Sequence, residues 1–286
     1  MPQINSAKRR DALRGAMWEQ KWRGTLEEYQ AQGGTSEDFW GVYSELVPNS
    51  KKLSLKNPIG WGTYKWNYSS EPLELAIERE VGIIDTAETY GYGKVEKELG
   101  KILVQFKSLP LIATKVSRNH MSKKAIVSAA KRSRDNLQLE SIPLYQIHWP
   151  SPKVPWEETF EGLGELVSGG VVERVGVSNL CVGQISLAMK LAKLNGFRIS
   201  SLQTRLNLKD SSATEWLIPN ALKANLLVLA YSPLAQGGLK NRVSESLRFV
   251  WDSGAVPLVK TNSTAHLLEL LKVNPNPSPK RNPPKP

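Results

Sequence analysis

Between residues 58 and 272 the chain alternates short apolar runs with longer amphipathic stretches, eight times over. The runs are Pro58–Thr63, Gly82–Asp85, Leu111–Val116, Leu144–His148, Val172–Val177, Ser200–Gln203, Leu226–Ala230 and Ala255–Val259. They are short and rich in β-branched residues, as strands buried on both faces require. The stretches between them open near Glu71, Lys94, Ser122, Trp156, Cys181, Ser212, Val243 and Ser263. In the third, Ala125, Ile126, Ala129, Ala130 and Leu137 recur at helical spacing with Lys and Arg between them, which predicts an amphipathic helix. Strand–helix alternation predicts an α/β fold with a parallel sheet. Eight such units predict a closed (β/α)8 barrel of the TIM type. An open doubly wound sheet is the rival. Its dinucleotide fingerprint is missing: Gly91-Tyr-Gly93 runs into Lys-Val-Glu, with no third glycine in place.

Outside the repeat the pattern breaks. Residues 1–50 read as an N-terminal extension. Within it, Asp11 to Arg23 predicts a helix with Trp18 and Trp22 on one side, and Ser36-Glu37-Asp38 opens a second short one. Residues 273–286 hold six prolines, which predicts an extended or disordered tail. Net charge is +11, and residues 272–286 alone carry four Lys/Arg and no acid. That basic tail reads as a solvated end; no nucleic-acid motif accompanies it, so no nucleic-acid partner is expected. With 286 residues, 40% of them hydrophobic, wholesale disorder is excluded. A lone cysteine, Cys181, rules out an intrachain disulfide and a cysteine zinc cluster. His120, His148 and His266 fall outside any His-Glu-x-x-His pattern, so no metal is expected. No apolar run reaches about 18 residues, so no membrane span is expected. The N-terminus lacks a signal-peptide core but has a basic stretch from Lys8 to Arg14, broken by Asp11. Cytoplasm is the expected location and an organelle such as a chloroplast the alternative.

In a barrel of this kind, active residues sit at the C-terminal ends of strands. Asp85, Lys115 and His148 each end an apolar run, and Tyr90 follows Asp85 by five residues. Taken singly, each has an ordinary reading: a turn former, a packed phenol, a snorkelling amine, a structural imidazole. Together they place an acid, a phenol, an amine and an imidazole on one rim. A phenol titrates near 10, high for a proton donor at neutral pH. A neighbouring ammonium lowers that value, and bringing it down to about 7 takes roughly 4 kcal/mol. A carboxylate beside the amine keeps it charged, and the imidazole can hydrogen-bond a substrate oxygen. Such a set suits protonation of an alkoxide developing from a carbonyl.

These residues lie in motifs that resemble the aldo-keto reductase superfamily. They are Gly-Ile-Ile-Asp85-Thr-Ala-Glu-Thr-Tyr90-Gly-Tyr-Gly, Ala-Thr-Lys115-Val, Tyr-Gln-Ile-His148-Trp-Pro, Gly176-Val-Ser178-Asn179, Gln203 and Ala230-Tyr231-Ser232-Pro233-Leu234. The order matches over roughly residues 54–272, within a barrel domain drawn at 51–272. The resemblance implies a catalytic set of Asp85, Tyr90, Lys115 and His148, with Tyr90 as general acid in reduction, and a nicotinamide cofactor that delivers hydride. It also implies cofactor contacts. Gly62, Thr63, Tyr64 and Lys65 form the turn after strand one, at the nicotinamide end, Asp85 sits beside them, and Ser178, Asn179 and Gln203 hold the carboxamide. Tyr231 stacks on the nicotinamide, Ser232 and Leu234 follow the pyrophosphate, and Lys260 and Thr261 meet the ribose phosphate at a helix N-terminus. Trp149, Tyr64, Tyr92 and the region near Leu180 are expected to line the substrate pocket.

Three departures bear on function. The stretch Lys260-Thr-Asn-Ser-Thr-Ala-His266 offers one certain cation for a 2′-phosphate, so NADP(H) is expected with NAD(H) as the alternative. The connection after Gly237-Gly238-Leu239 is short, and the proline-rich tail stands where relatives carry a pocket-shaping loop. An open site with weakly held cofactor is therefore expected. The leading expectation is a monomeric NADP(H)-dependent enzyme reducing a small-molecule aldehyde or ketone. The alternatives are a catalytically weak NADP(H)-binding regulatory subunit and a basic interaction module on a barrel scaffold.

Overall fold

The computed structural model describes residues 53–273. The expected N-terminal extension with its two helices, and the tail from residue 274, lie outside the described residues. Eight parallel strands close into a barrel in chain order: β1 (Gly60–Gly62), β2 (Ile83–Asp85), β3 (Leu111–Val116), β4 (Leu144–Ile147), β5 (Val175–Ser178), β6 (Ile199–Arg205), β7 (Leu227–Tyr231) and β8 (Val256–Val259). The helices alternate with them: α1 (Ser70–Glu78), α2 (Lys94–Leu103), α3 (Lys123–Leu137), α4 (Trp156–Ser168), α5 (Val182–Leu194), α6 (Leu217–Lys223), α7 (Val243–Asp252) and α8 (Thr264–Lys272). This is the (β/α)8 TIM barrel that the periodicity predicts. β8 pairs with β1 through Gly60–Leu258 and Trp61–Val259, which closes the ring.

Apolar side chains on both faces of the strands explain the closure. Outward-facing residues pack against the helices, for example Tyr145, Val177 and Leu202 with Phe160, Leu163, Ile185 and Ala188. Inward-facing Ile83, Ala113, Leu144, Leu229 and Leu258 fill the N-terminal end of the barrel, capped by Leu53 and Leu55. Close helix contact at the α2–α3 seam depends on Gly100, where a Cβ would lie 2.3 Å from the Asn136 carbonyl oxygen. With its core filled at that end, the barrel leaves room for chemistry at the other, where the loops after the strands gather.

The largest departure from the predicted elements is at the sixth helix. Ser212–Thr214 forms a 3-10 turn, and α6 begins only at Leu217. Pro219 accounts for this: lacking an N–H, it fits the first turn of a helix and would break one that began at Ser212. β5 starts at Val175 rather than Val172, which makes only an isolated bridge to Ile142. No helix among the described residues is long and apolar enough to cross a membrane.

Candidate active site

β2 ends at Asp85, whose backbone carbonyl accepts hydrogen bonds from the Thr63 amide (2.9 Å) and hydroxyl (3.1 Å) in the turn after β1. Lys115 lies on β3 and is completely buried. Its Nζ donates to Asp85 Oδ2 (2.6 Å) and to the Thr86 carbonyl (2.8 Å). The same ammonium sits 5.2 Å from the centre of the Tyr90 ring. Tyr90 opens a 3-10 turn, Tyr90–Gly93, in which Gly91, Tyr92 and Gly93 take positive φ. Left-handed backbone suits the two glycines and turns the chain sharply into α2. His148 follows β4, with its ring 5.9 Å from that of Tyr90 and its Nδ1 3.4 Å from the Thr89 hydroxyl. The fold therefore gathers all four predicted catalytic residues, from three consecutive strands, at one rim.

The second carboxylate oxygen of Asp85 faces the barrel axis. Gln203 Nε2 donates to Oδ1 at 2.7 Å and Gln146 Nε2 at 3.4 Å. Asn179 is also occupied within the protein: Nδ2 donates to Ser178 Oγ (2.9 Å) and the His148 carbonyl (3.0 Å), and Oδ1 accepts from the Tyr231 hydroxyl (2.9 Å). Asn179 and Ser232 both adopt positive φ on loops at this rim.

Burial dominates the electrostatics. It pulls the Lys115 ammonium down, but the Asp85 carboxylate and the Tyr90 phenol more than offset it, so Lys115 titrates above its ordinary value and stays charged. The expected net acidification of Tyr90 is not found. Burial raises the phenol; the Lys115 ammonium and its hydrogen bond oppose this, and the Asp85 carboxylate adds to the rise. The sequence shows the neighbouring amine but not the loss of hydration. His148 is pushed down to about 3, first by burial and then by the Lys115 charge, so its imidazole is neutral. Tyr231 is pushed up to about 12, chiefly by burial.

A cleft of about 2020 Å³ spreads from this cluster across the rim. Gly62, Tyr64, Asp85, Tyr90, His148, Asn179, Gln203, Tyr231, Ser232, Leu234, Lys260 and Thr261 all line it. Thr63, Ser178 and Lys115 do not; they are buried behind the wall and hold residues that do. Trp149 and Leu180 line the cleft as expected, whereas Tyr92 is fully exposed and lies outside it.

The sequence profile of the aldo/keto reductase family matches residues 55–274. The chain belongs to the aldo/keto reductase family. Aldo-keto reductase YhdN of Bacillus subtilis is 31% identical over 202 residues, covering 67% of this chain and 60% of that protein. The chloroplastic pyridoxal reductase of Arabidopsis thaliana is 26% identical over 219 residues, covering 66% and 60%. An aldo-keto reductase from Klebsiella pneumoniae, crystallised in complex with NADPH, superposes with a TM-score of 0.70 at 24% identity, covering 78% of this chain and 90% of that one. The chain thus spans 60% of the length of each of these two curated relatives.

Three residues of this aldo/keto reductase, Arg205, Trp216 and Gln146, emerge only from the structure, and a fourth, Lys65, takes a place beside Lys260 that the sequence does not reveal. Lys65 lines the cleft and acts on Lys260, whose pKa is lowered first by burial and then by the Lys65 charge. Arg205 lines it too, paired with Asp210 at 3.2 Å. Trp216 stands half-exposed at the cleft wall just before α6. Gln146 lies completely buried below the site. Of these, Lys65 had a readable signal, since it closes the turn after strand one.

Proposed function

We propose that this aldo/keto reductase is an NADP(H)-dependent oxidoreductase that reduces small-molecule aldehydes or ketones to alcohols, with Tyr90 as general acid. The observation that carries the reading is the buried Lys115 ammonium, held by Asp85 and set against the Tyr90 phenol at the floor of a wide cleft. Tyr64, Tyr90 and Tyr231 all border the cleft, and the strand-borne ammonium singles out Tyr90.

The donor set fits a phosphorylated dinucleotide. Lys65, Lys260, Thr261 and His266 line one part of the cleft, so two amines and a helix start are available to an anion. Ser232 and Leu234 would follow the pyrophosphate, and Tyr231 would meet the nicotinamide. Gln203 and Asn179 would turn from their protein partners to its carboxamide. When bound, the cofactor supplies the hydride.

The chain's own residues handle the oxygen. In the tautomer that carries its proton on Nε2, neutral His148 accepts from the Thr89 hydroxyl at Nδ1 and offers its Nε2–H to the substrate oxygen. Tyr90 transfers its hydroxyl proton to that oxygen as it becomes an alkoxide. The raised phenol keeps its proton at neutral pH, yet it remains a stronger acid than the alcohol it creates. Lys115 stabilises the phenolate left behind, and Asp85 keeps the ammonium in place.

Tyr90→Phe tests this with NADPH oxidation by 4-nitrobenzaldehyde or 9,10-phenanthrenequinone. Turnover is lost while NADPH still quenches protein fluorescence with the parent affinity. Unchanged turnover would sink the reading. A second reading, a weakly catalytic NADP(H)-binding regulatory subunit, draws support from the short step of Lys240–Arg242 into α7, which leaves the cleft broad. Tight NADPH binding with no turnover on any carbonyl would favour it. Side-by-side titration with NADPH and NADH tests the cofactor preference.

A further inference from the structure

Asp85 holds Lys115 with one carboxylate oxygen and turns the other toward the barrel axis. The strand register accounts for what meets it there. Lys115, Gln146, Gly176 and Ser201 are register partners on β3, β4, β5 and β6, forming one row around the inside of the barrel. Gln146 and Ser201 are completely buried there. An unpaired amide in such a place is costly, so its partners are informative. Gln146 directs Nε2 at Asp85 Oδ1 (3.4 Å), and its Oε1 faces the Ser201 hydroxyl at 3.5 Å. Gly176 makes the room: a Cβ there would come within 2.1 Å of Ser201 Oγ and 2.9 Å of Gln146 Cγ. A polar layer that needs a glycine to fit is a poor way to build a barrel core. It is a good way to hold a carboxylate at fixed orientation.

The geometry points to Gln146, seated by Ser201 in the space left by Gly176, as a positioning residue that orients the Asp85 carboxylate toward Lys115. It rests on the reading of Tyr90, Lys115 and Asp85 given above. Gln203 makes the shorter bond to the same oxygen, but Gln203 also borders the cleft and is claimed by the carboxamide of the proposed cofactor. When Gln203 turns to that ligand, Gln146 is the amide left on Oδ1. The dry row beneath the site thus keeps the Asp85–Lys115 pair aligned while the cleft side changes partners.

Two near-isosteric variants and one reference test this. Gln146→Met removes the donor. It lowers kcat for 4-nitrobenzaldehyde about tenfold, the scale of one hydrogen bond to a charged group, while the NADPH Kd from fluorescence stays within twofold. Gln146→Glu places a carboxyl among Asp85, Lys115 and the neutral Gln203, Ser201 and Gly176. Beside Asp85 it holds a proton at low pH and can donate as the amide did. Its rate therefore approaches the parent's near pH 6, and its alkaline limb falls at least one pH unit earlier. A packing role alone would leave the rate of Gln146→Met, which fills nearly the same volume, at the parent's level. The proposal is overturned by a Gln146→Met kcat within twofold of the parent, or by a Gln146→Glu limb that coincides with the parent's. If Gln146→Met fails to fold, Ser201→Ala carries the test: kcat drops about threefold with Kd unchanged, and an unchanged kcat overturns the proposal. Tyr90→Phe run alongside separates the layers. An active Tyr90→Phe overturns the site reading and this proposal together. An inactive one with an unaffected Gln146→Met overturns this proposal alone.

Discussion

Lys115→Met isolates the charge on which the proposed proton transfer from Tyr90 depends. The methionine fills much of the same volume without the ammonium. At an effective dielectric of about 20, an ammonium and a phenolate at the 5.2 Å separation seen between Nζ and the Tyr90 ring attract by about 3 kcal/mol. At about 1.4 kcal/mol per tenfold, the chemical step slows by about two orders of magnitude. The substitution also strips Asp85 of its 2.6 Å partner. Breaking a buried pair on one side costs about 3–5 kcal/mol of stability, so folding must be monitored separately. The assay is single-turnover oxidation of NADPH by 4-nitrobenzaldehyde from pH 6 to 9, at a temperature where circular dichroism shows the variant folded. The expected rate is about a hundredfold lower at every pH where the parent is active. A rate within threefold of the parent, in folded protein, would refute it.

Other outcomes follow from separate parts of the molecule. His148 titrates at about 3 when folded and near 6.5 when unfolded. The unfolded chain therefore binds the extra proton, and stability is full above about pH 6.5 and falls as pH drops toward 3, by up to about 1.4 kcal/mol per pH unit. In urea melts at pH 7 and pH 5, His148→Gln should lose less between the two than the parent does. Gly100→Ala gains about 1 kcal/mol of helix propensity, but its methyl meets backbone at Asn136 and Leu137 that cannot yield. Overpacking of about 1–3 kcal/mol wins, so the thermal midpoint should fall; a rise would contradict the α2–α3 contact. Lys65→Ala should weaken NADPH binding several-fold and NADH binding less, read by fluorescence titration. Equal losses would separate Lys65 from the 2′-phosphate.

Much of this architecture was legible because buried strands and core-facing helices leave strong local periodicities. The four rim residues were legible for a related reason: Asp85, Lys115 and His148 are polar endings to apolar runs, and a barrel turns strand endings into neighbours. What escaped depends on depth and on contacts between distant segments. The rise of the Tyr90 phenol comes from lost hydration, which only the assembled loops create. Gln146 is polar inside the run Leu-Tyr-Gln-Ile, and a polar residue within a buried strand demands a partner. The demand was readable, but its partners, Asp85 and Ser201, lie 61 and 55 residues away. Trp216 reaches the cleft because Pro219 delays α6, a local effect whose spatial outcome depends on where the turn at Ser212–Thr214 points. The two-amine arrangement was missed because Lys65 and Lys260 meet only where the first and last strands join.

That junction has a further consequence. Lys65 leaves β1 and Lys260 leaves β8, the two staves whose pairing shuts the ring, and each amine repels the other. A polyanion settling between them would do more than find a counter-charge. It would rivet the first strand of the barrel to its last, so that occupancy of the cleft and resistance of the ring to springing open become linked equilibria.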